Sequence, residues 1–133
     1  MSSNNLNLVQ QLYAAFGKGD VPALMNSMST DIAWHSGGRA SDYPGFGPRK
    51  GHAEVREFFD IVAENNEFSH FTPREFYAAG DKVFVLGDYA LTLRKTGKAM
   101  ATDWVHIFTI RDEKVTGFRE FLDTALAAEC YRG

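Results

Sequence analysis

From Phe68 to Leu122 apolar and polar residues alternate with a period of two almost without interruption, and this run limits the fold more than any other feature. It predicts strands at 68–79, 82–94, 99–111 and 115–122. The breaks are Ala79-Gly80-Asp81-Lys82, Lys95-Thr96-Gly97-Lys98 and Asp112-Glu113-Lys114. Gaps that short cannot hold a parallel crossover, so successive strands must form antiparallel hairpins. Pro73 lacks an amide donor and suits an edge strand or a bulge. Along 99–111, Trp104, His106, Phe108 and Ile110 alternate with Val105 and Ile107, which makes both faces apolar. Helices can cover one face. The other, where Val105, Ile107 and Phe121 should lie, needs further cover, and a second copy in a homodimer is the simplest candidate.

The first half has helical spacing instead. Val9, Leu12, Tyr13 and Phe16 fall on one helix face, and Gly17 and Gly19 can end that helix. Asp20 can cap a second helix with Pro22 in its first turn, carrying Val21, Leu24, Met25 and Met28. So tight a junction predicts an αα-hairpin. A short strand follows over 31–36, with Ile32 and Trp34 on one face. Residues 37–51 read as a long loop with five glycines and two prolines, expected to be the least ordered stretch and to edge a pocket. Val55, Phe58, Phe59 and Val62 restore the helical period, closing near Asn65-Asn66. A last short helix, about 123–131, carries Leu126 and Cys130.

The chain of 133 residues fits one domain, here taken as 1–133. Its fold class is α+β: a curved sheet wrapped around helices, leaving an internal pocket. Aromatic residues make up 14%, with 11 phenylalanines, a density that lines pockets for flat apolar molecules as well as filling a core. A net charge of −3 argues against a nucleic-acid or anionic-membrane partner. No apolar run approaches a membrane span, the start at Met1-Ser2-Ser3-Asn4-Asn5 lacks signal-peptide character, and Cys130 stands alone. A cytoplasmic setting is expected.

The αα-hairpin ending at Gly19-Asp20, the strand with Trp34, the third helix opened by Gly51 and the four long strands resemble the cone-shaped nuclear transport factor 2-like superfamily. The segment Trp104-Val-His-Ile-Phe-Thr-Ile-Arg-Asp-Glu-Lys-Val, then Phe118-Arg-Glu-Phe-Leu-Asp123, is similar to the SnoaL-like, ketosteroid isomerase-like branch. The resemblance covers about residues 6 to 127. It implies a mixed or antiparallel sheet around an αα-hairpin and a third helix. It is specific for fold and poor for function, since this superfold hosts isomerases, cyclases, hydrolases, dehydratases and plain binders. Ketosteroid isomerases imply a first-helix tyrosine, which falls at Leu12 with Tyr13 beside it. Their catalytic aspartate falls at Ser36 and their second oxyanion acid near His106, so that set is not retained. The limonene-epoxide hydrolase set falls at Tyr89, Gly87 and Glu120 with Trp34 and Ser36, and only Glu120 keeps a carboxylate. The small polyketide cyclases imply an acid near the sheet's end, which Glu120 matches.

The candidate catalytic residues are therefore His106 and Glu120. A neutral imidazole can exchange protons near pH 7, and a carboxylate facing an aromatic pocket can do the same. The plain alternative is a core histidine bonded to a buried carboxylate or tyrosine. Trp34, Ser36, Tyr89, Trp104, Leu12, Tyr13 and Phe59 are the expected ligand-binding residues, and Tyr13, Tyr43 and Tyr89 are candidate donors to a ligand oxygen. His35, His52 and His70 lack metal-ligand spacing, and Gly45-Phe46-Gly47 with Gly51 is not a dinucleotide fingerprint, so no metal and no cofactor is expected. The partner expected is a small apolar or mixed-polarity molecule. The reaction expected is proton transfer next to a carbonyl, in isomerisation, dehydration or aldol-type cyclisation. A non-catalytic carrier or sensor, or a protein-interaction module, is the alternative.

Overall fold

The computed structural model describes residues 2–133. In chain order the elements are α1 (Ser2–Gly17), α2 (Val21–Asn26), β1 (Met28–Ser36), β2 (Gly47–Lys50), α3 (Gly51–Asn65), β3 (Asn66–Ala79), β4 (Lys82–Leu93), β5 (Ala99–Arg111), β6 (Lys114–Leu122) and α4 (Thr124–Arg132). The six strands form one open, curved sheet in the order β2-β1-β6-β5-β4-β3. β3 to β6 are successive antiparallel hairpins, as the short gaps require. The β5–β6 turn is two residues long, with Asp112 and Glu113 both at positive φ (50° and 61°). That is the turn whose twist matches antiparallel strands. Pro73 sits on edge strand β3, beside a register shift between Pro73 and Glu75.

Three sequence expectations are corrected. The second helix stops at Asn26 instead of reaching Met28, which opens β1. Asp20 does cap it, accepting from the Ala23 amide at 3.2 Å. The first strand begins at Met28 rather than Asp31, because it pairs parallel with β6 from Met28↔Val115 onward. The sheet is thus mixed, and this parallel pair joins segments far apart in sequence. Finally, 37–51 is not one loose loop. Gly47–Lys50 pairs antiparallel with β1, and Tyr43 and Phe46, 7% and 4% exposed, are tucked into the core.

One sheet face is concave and carries α1, α2 and α3. Its strands point Ile32, Trp34, Val83, Val85, Tyr89, Trp104, Phe108 and Phe118 inward, against Val9 and Leu12 of α1 and Val55 and Phe58 of α3. Burying each such side chain contributes on the order of 2 kcal/mol. α4, capped by Asp123 accepting from the Leu126 amide at 2.9 Å, closes the far end. Among the described residues, no helix is long and apolar enough to cross a membrane.

Candidate active site

Strand parity and register together build the site. His106 on β5 pairs with Glu120 on β6, and Glu120 pairs with Ser36 on β1. The three residues form one row across the sheet, on the same face, with neighbouring strands about 4.8 Å apart. The β1 irregularity lies between Met28 and Ala33, before this row, and leaves its parity intact. Tyr13 reaches the row from α1, one turn before the helix ends.

The side chains link in sequence. Tyr13 Oη is 2.7 Å from His106 Nδ1. His106 Nε2 is 2.8 Å from Glu120 Oε2, and Ser36 Oγ donates to Glu120 Oε1 at 2.6 Å. The partners fix the proton positions. An ionised Glu120 can only accept, so Nε2 carries hydrogen, and the neutral ring then accepts from Tyr13 at Nδ1. When the ring takes a second proton, Nδ1 donates back to Tyr13 Oη. Burial pushes the Glu120 carboxyl up, but the hydrogen bond and charge of His106, with the Ser36 hydroxyl, outweigh it and hold the group below the usual carboxylate range. Burial, and then the Glu120 charge, push the Tyr13 phenol far above its ordinary value, so it stays protonated.

Between this row and the helices lies a cavity of about 100 Å³. Of the expected site residues, Leu12, Tyr13, Trp34, Ser36, Phe59, Tyr89, His106 and Glu120 line it. Trp104 is placed otherwise: it is not on the wall. Its ring stacks on His106 at 3.9 Å and 17°, holding the imidazole from behind. Tyr13 lies nearly parallel to His106 on the same deck, 5.9 Å and 10°. Opposite, Trp34 stacks on Phe118 at 3.9 Å.

Several lining residues were not singled out as ligand-binding from the sequence. Phe46 and Asn66 line the cavity, as do Phe16, Phe68 and Phe71. Asn66 Nδ2 donates to Tyr43 Oη at 3.1 Å. The high aromatic share was the available signal for the phenylalanines, whereas Asn66 reads simply as a helix end. The other histidines lie outside the site. His52 contacts the Met28 carbonyl at 3.0 Å and His70 pairs with Asp88 at 2.6 Å on the surface.

The chain resembles known proteins over its whole length. An NTF2-like protein from Burkholderia xenovorans is 32% identical, with 98% of this chain and 97% of that one covered and a TM-score of 0.89. An NTF2-like protein of unknown function from Burkholderia pseudomallei is 28% identical, with both chains fully covered and a TM-score of 0.90. TerC, co-crystallised with polyporic acid, is 30% identical, with 98% and 99% covered and a TM-score of 0.85. No curated protein matches. The family model of the SnoaL-like domain matches residues 9–118, most of the chain. The protein belongs to the SnoaL-like domain family.

Proposed function

We propose that the protein is an acid–base enzyme acting on a small carbonyl compound, with Tyr13, His106 and Glu120 as a proton relay. One observation carries the reading: a tyrosine–histidine–carboxylate chain with every contact at 2.7–2.8 Å ends at an aromatic cavity. Both His106 nitrogens are engaged, so exchange with a ligand runs through Tyr13 Oη. A proton arriving there from a carbon next to a carbonyl displaces the phenol's own proton onto Nδ1. The resulting imidazolium faces the Glu120 carboxylate, which stabilises it, and return of the proton to another carbon completes an isomerisation. Ser36 holds the carboxylate in place. TerC, co-crystallised with polyporic acid, supports a small organic ligand for this cavity too.

The competing reading is a carrier with the same pocket. It is favoured by the complete internal pairing of His106, which a structural histidine would also show. Proton exchange separates the two. In D₂O the protein should catalyse loss of the α-proton NMR signals of small aryl ketones. Tyr13→Phe and His106→Gln should each slow this by roughly 10²–10⁴-fold. Absence of catalysed exchange across the ketones, or exchange indifferent to both substitutions, would leave the carrier.

A further inference from the structure

The relay occupies one pole of the cavity, and a second polar set stands well away from it. Tyr89 on β4 pairs with Thr102, and Thr102 is four residues from His106 along β5. At about 3.3 Å per residue this separates the two rows by roughly 13 Å of strand. The second set is Tyr89, Tyr43 and Asn66. Asn66 donates to Tyr43 Oη, so the phenol's own hydrogen is left for another acceptor. Tyr89 is fixed by stacking on Phe71 at 5.8 Å and 14°, and its hydroxyl has no hydrogen-bond partner among the described residues.

Both phenols stay protonated. Burial pushes Tyr43 up to about 12, against the bond from Asn66, and burial, then the Glu120 charge, holds Tyr89 well above its ordinary value. Both phenols line this end of the cavity, and two unmatched donors there call for an accepting oxygen, while the buried Asn66 Oδ1 beside them has no donor of its own. Between the poles the wall is aromatic, with the Phe16 and Phe71 rings 5.0 Å apart. No lysine or arginine lines the cavity among the described residues, while Glu120 is an anion. Arg49, the nearby cation, is engaged by the carbonyls of Pro44 and Gly45 and by Glu57. A carboxylate or phosphate ligand would be repelled without compensation.

We infer that the pocket takes a neutral, flat ligand with oxygen at two separated positions, a dicarbonyl compound or its enol. One oxygen sits at Tyr13 and the other between Tyr43 and Tyr89. This rests on the relay reading for its first pole and adds the second. The test is binding followed by tryptophan fluorescence with three probes: acetophenone, 1,4-diacetylbenzene and 4-acetylbenzoate. Diacetylbenzene should bind at least tenfold tighter than acetophenone, and acetylbenzoate weaker than either. In Tyr43→Phe/Tyr89→Phe the diketone-to-monoketone ratio should fall to within twofold of one. Should the double variant not fold, Tyr89→Phe alone should lower the ratio several-fold. Equal binding of the two ketones, no binding of the diketone, a preference for the carboxylate, or a ratio that survives the substitutions overturns the inference. Deuterium exchange into the acetyl methyl groups of the same probes reads the relay separately. Selectivity without exchange rejects the proton relay and keeps the two-pole pocket, and exchange without selectivity does the reverse.

Discussion

Glu120 ties the site to the stability of the fold. Its side chain is 12% exposed and its partner His106 is 5% exposed, so the hydrogen bond between them is shielded from solvent. The folded carboxyl lies below its ordinary value near 4.5 despite burial. A group with a lowered folded value stabilises the native state fully above the unfolded value, and loses that contribution as pH falls through the folded one. Glu120→Gln should therefore cost about 1–3 kcal/mol near neutral pH, since the acceptor of two buried bonds is weakened. The gap between wild type and variant, measured by urea unfolding, should stay constant from pH 7 to about 5 and close below about 4.5. A gap that is unchanged down to pH 3 would mean the carboxylate is not the charged partner described here. The inward placement of His106 and Glu120 was legible from strand parity alone. Their bond was open to the sequence only as one alternative, a core histidine bonded to a buried carboxylate, because parity fixes a face while register fixes a neighbour. Still less legible was the Ser36–Glu120 contact, which spans 84 residues through a parallel pair.

At the level of elements, the long strands were readable because two-residue alternation and short turns constrain each other. The short pieces were not. β2 is hidden by Pro48 and flanking glycines, and it is a strand only because β1 offers it an edge. Met28 carried a helical spacing that parallel pairing with β6 overrode. Trp104 shows a different limit: it shares the parity of His106, yet it packs beside the imidazole instead of facing the cavity. The reason lies on the next strand. Gly87 pairs with Trp104, and a Cβ there would run into the Trp104 indole and the Thr72 carbonyl. The bare backbone of β4 thus makes the slot in which the indole lies, and the indole in turn props His106 at 3.9 Å. Gly87→Ala should destabilise by about 1–3 kcal/mol through overpacking. It should also shift the His106 ring resonances in an NMR spectrum, although residue 87 does not line the cavity. A variant with wild-type stability and unmoved resonances would show that the slot is looser than the contacts imply.

The whole molecule has two apolar sheet faces, and the helices cover one of them. On the convex side Leu86, Val105 and Phe121 form a row across β4, β5 and β6, and Phe84, Ile107 and Arg119 form the next. Leu86 and Phe121 are 36% and 44% exposed, with the Arg119 guanidinium 4.9 Å from the Phe121 ring centre. Contiguous apolar rows on a sheet face are rare on monomers, because their exposure favours association. A twofold pairing is the economical cover: the same rows meet their own copies, so one patch satisfies both chains. A stable interface needs roughly 800 Å² from each partner, so the pairing must extend beyond these two rows to their polar rim. We expect a homodimer in sedimentation at micromolar concentration. Phe121→Lys with Leu86→Lys should return it to monomer, since each dimer would then bury four unpaired ammonium groups. The cavity lies on the opposite side of the sheet, so the monomeric variant should keep its folded circular dichroism and bind the proposed ketones as the wild type does. Sedimentation of the wild type as a monomer at high micromolar concentration would refute the pairing and leave the convex face as the open surface of a single chain.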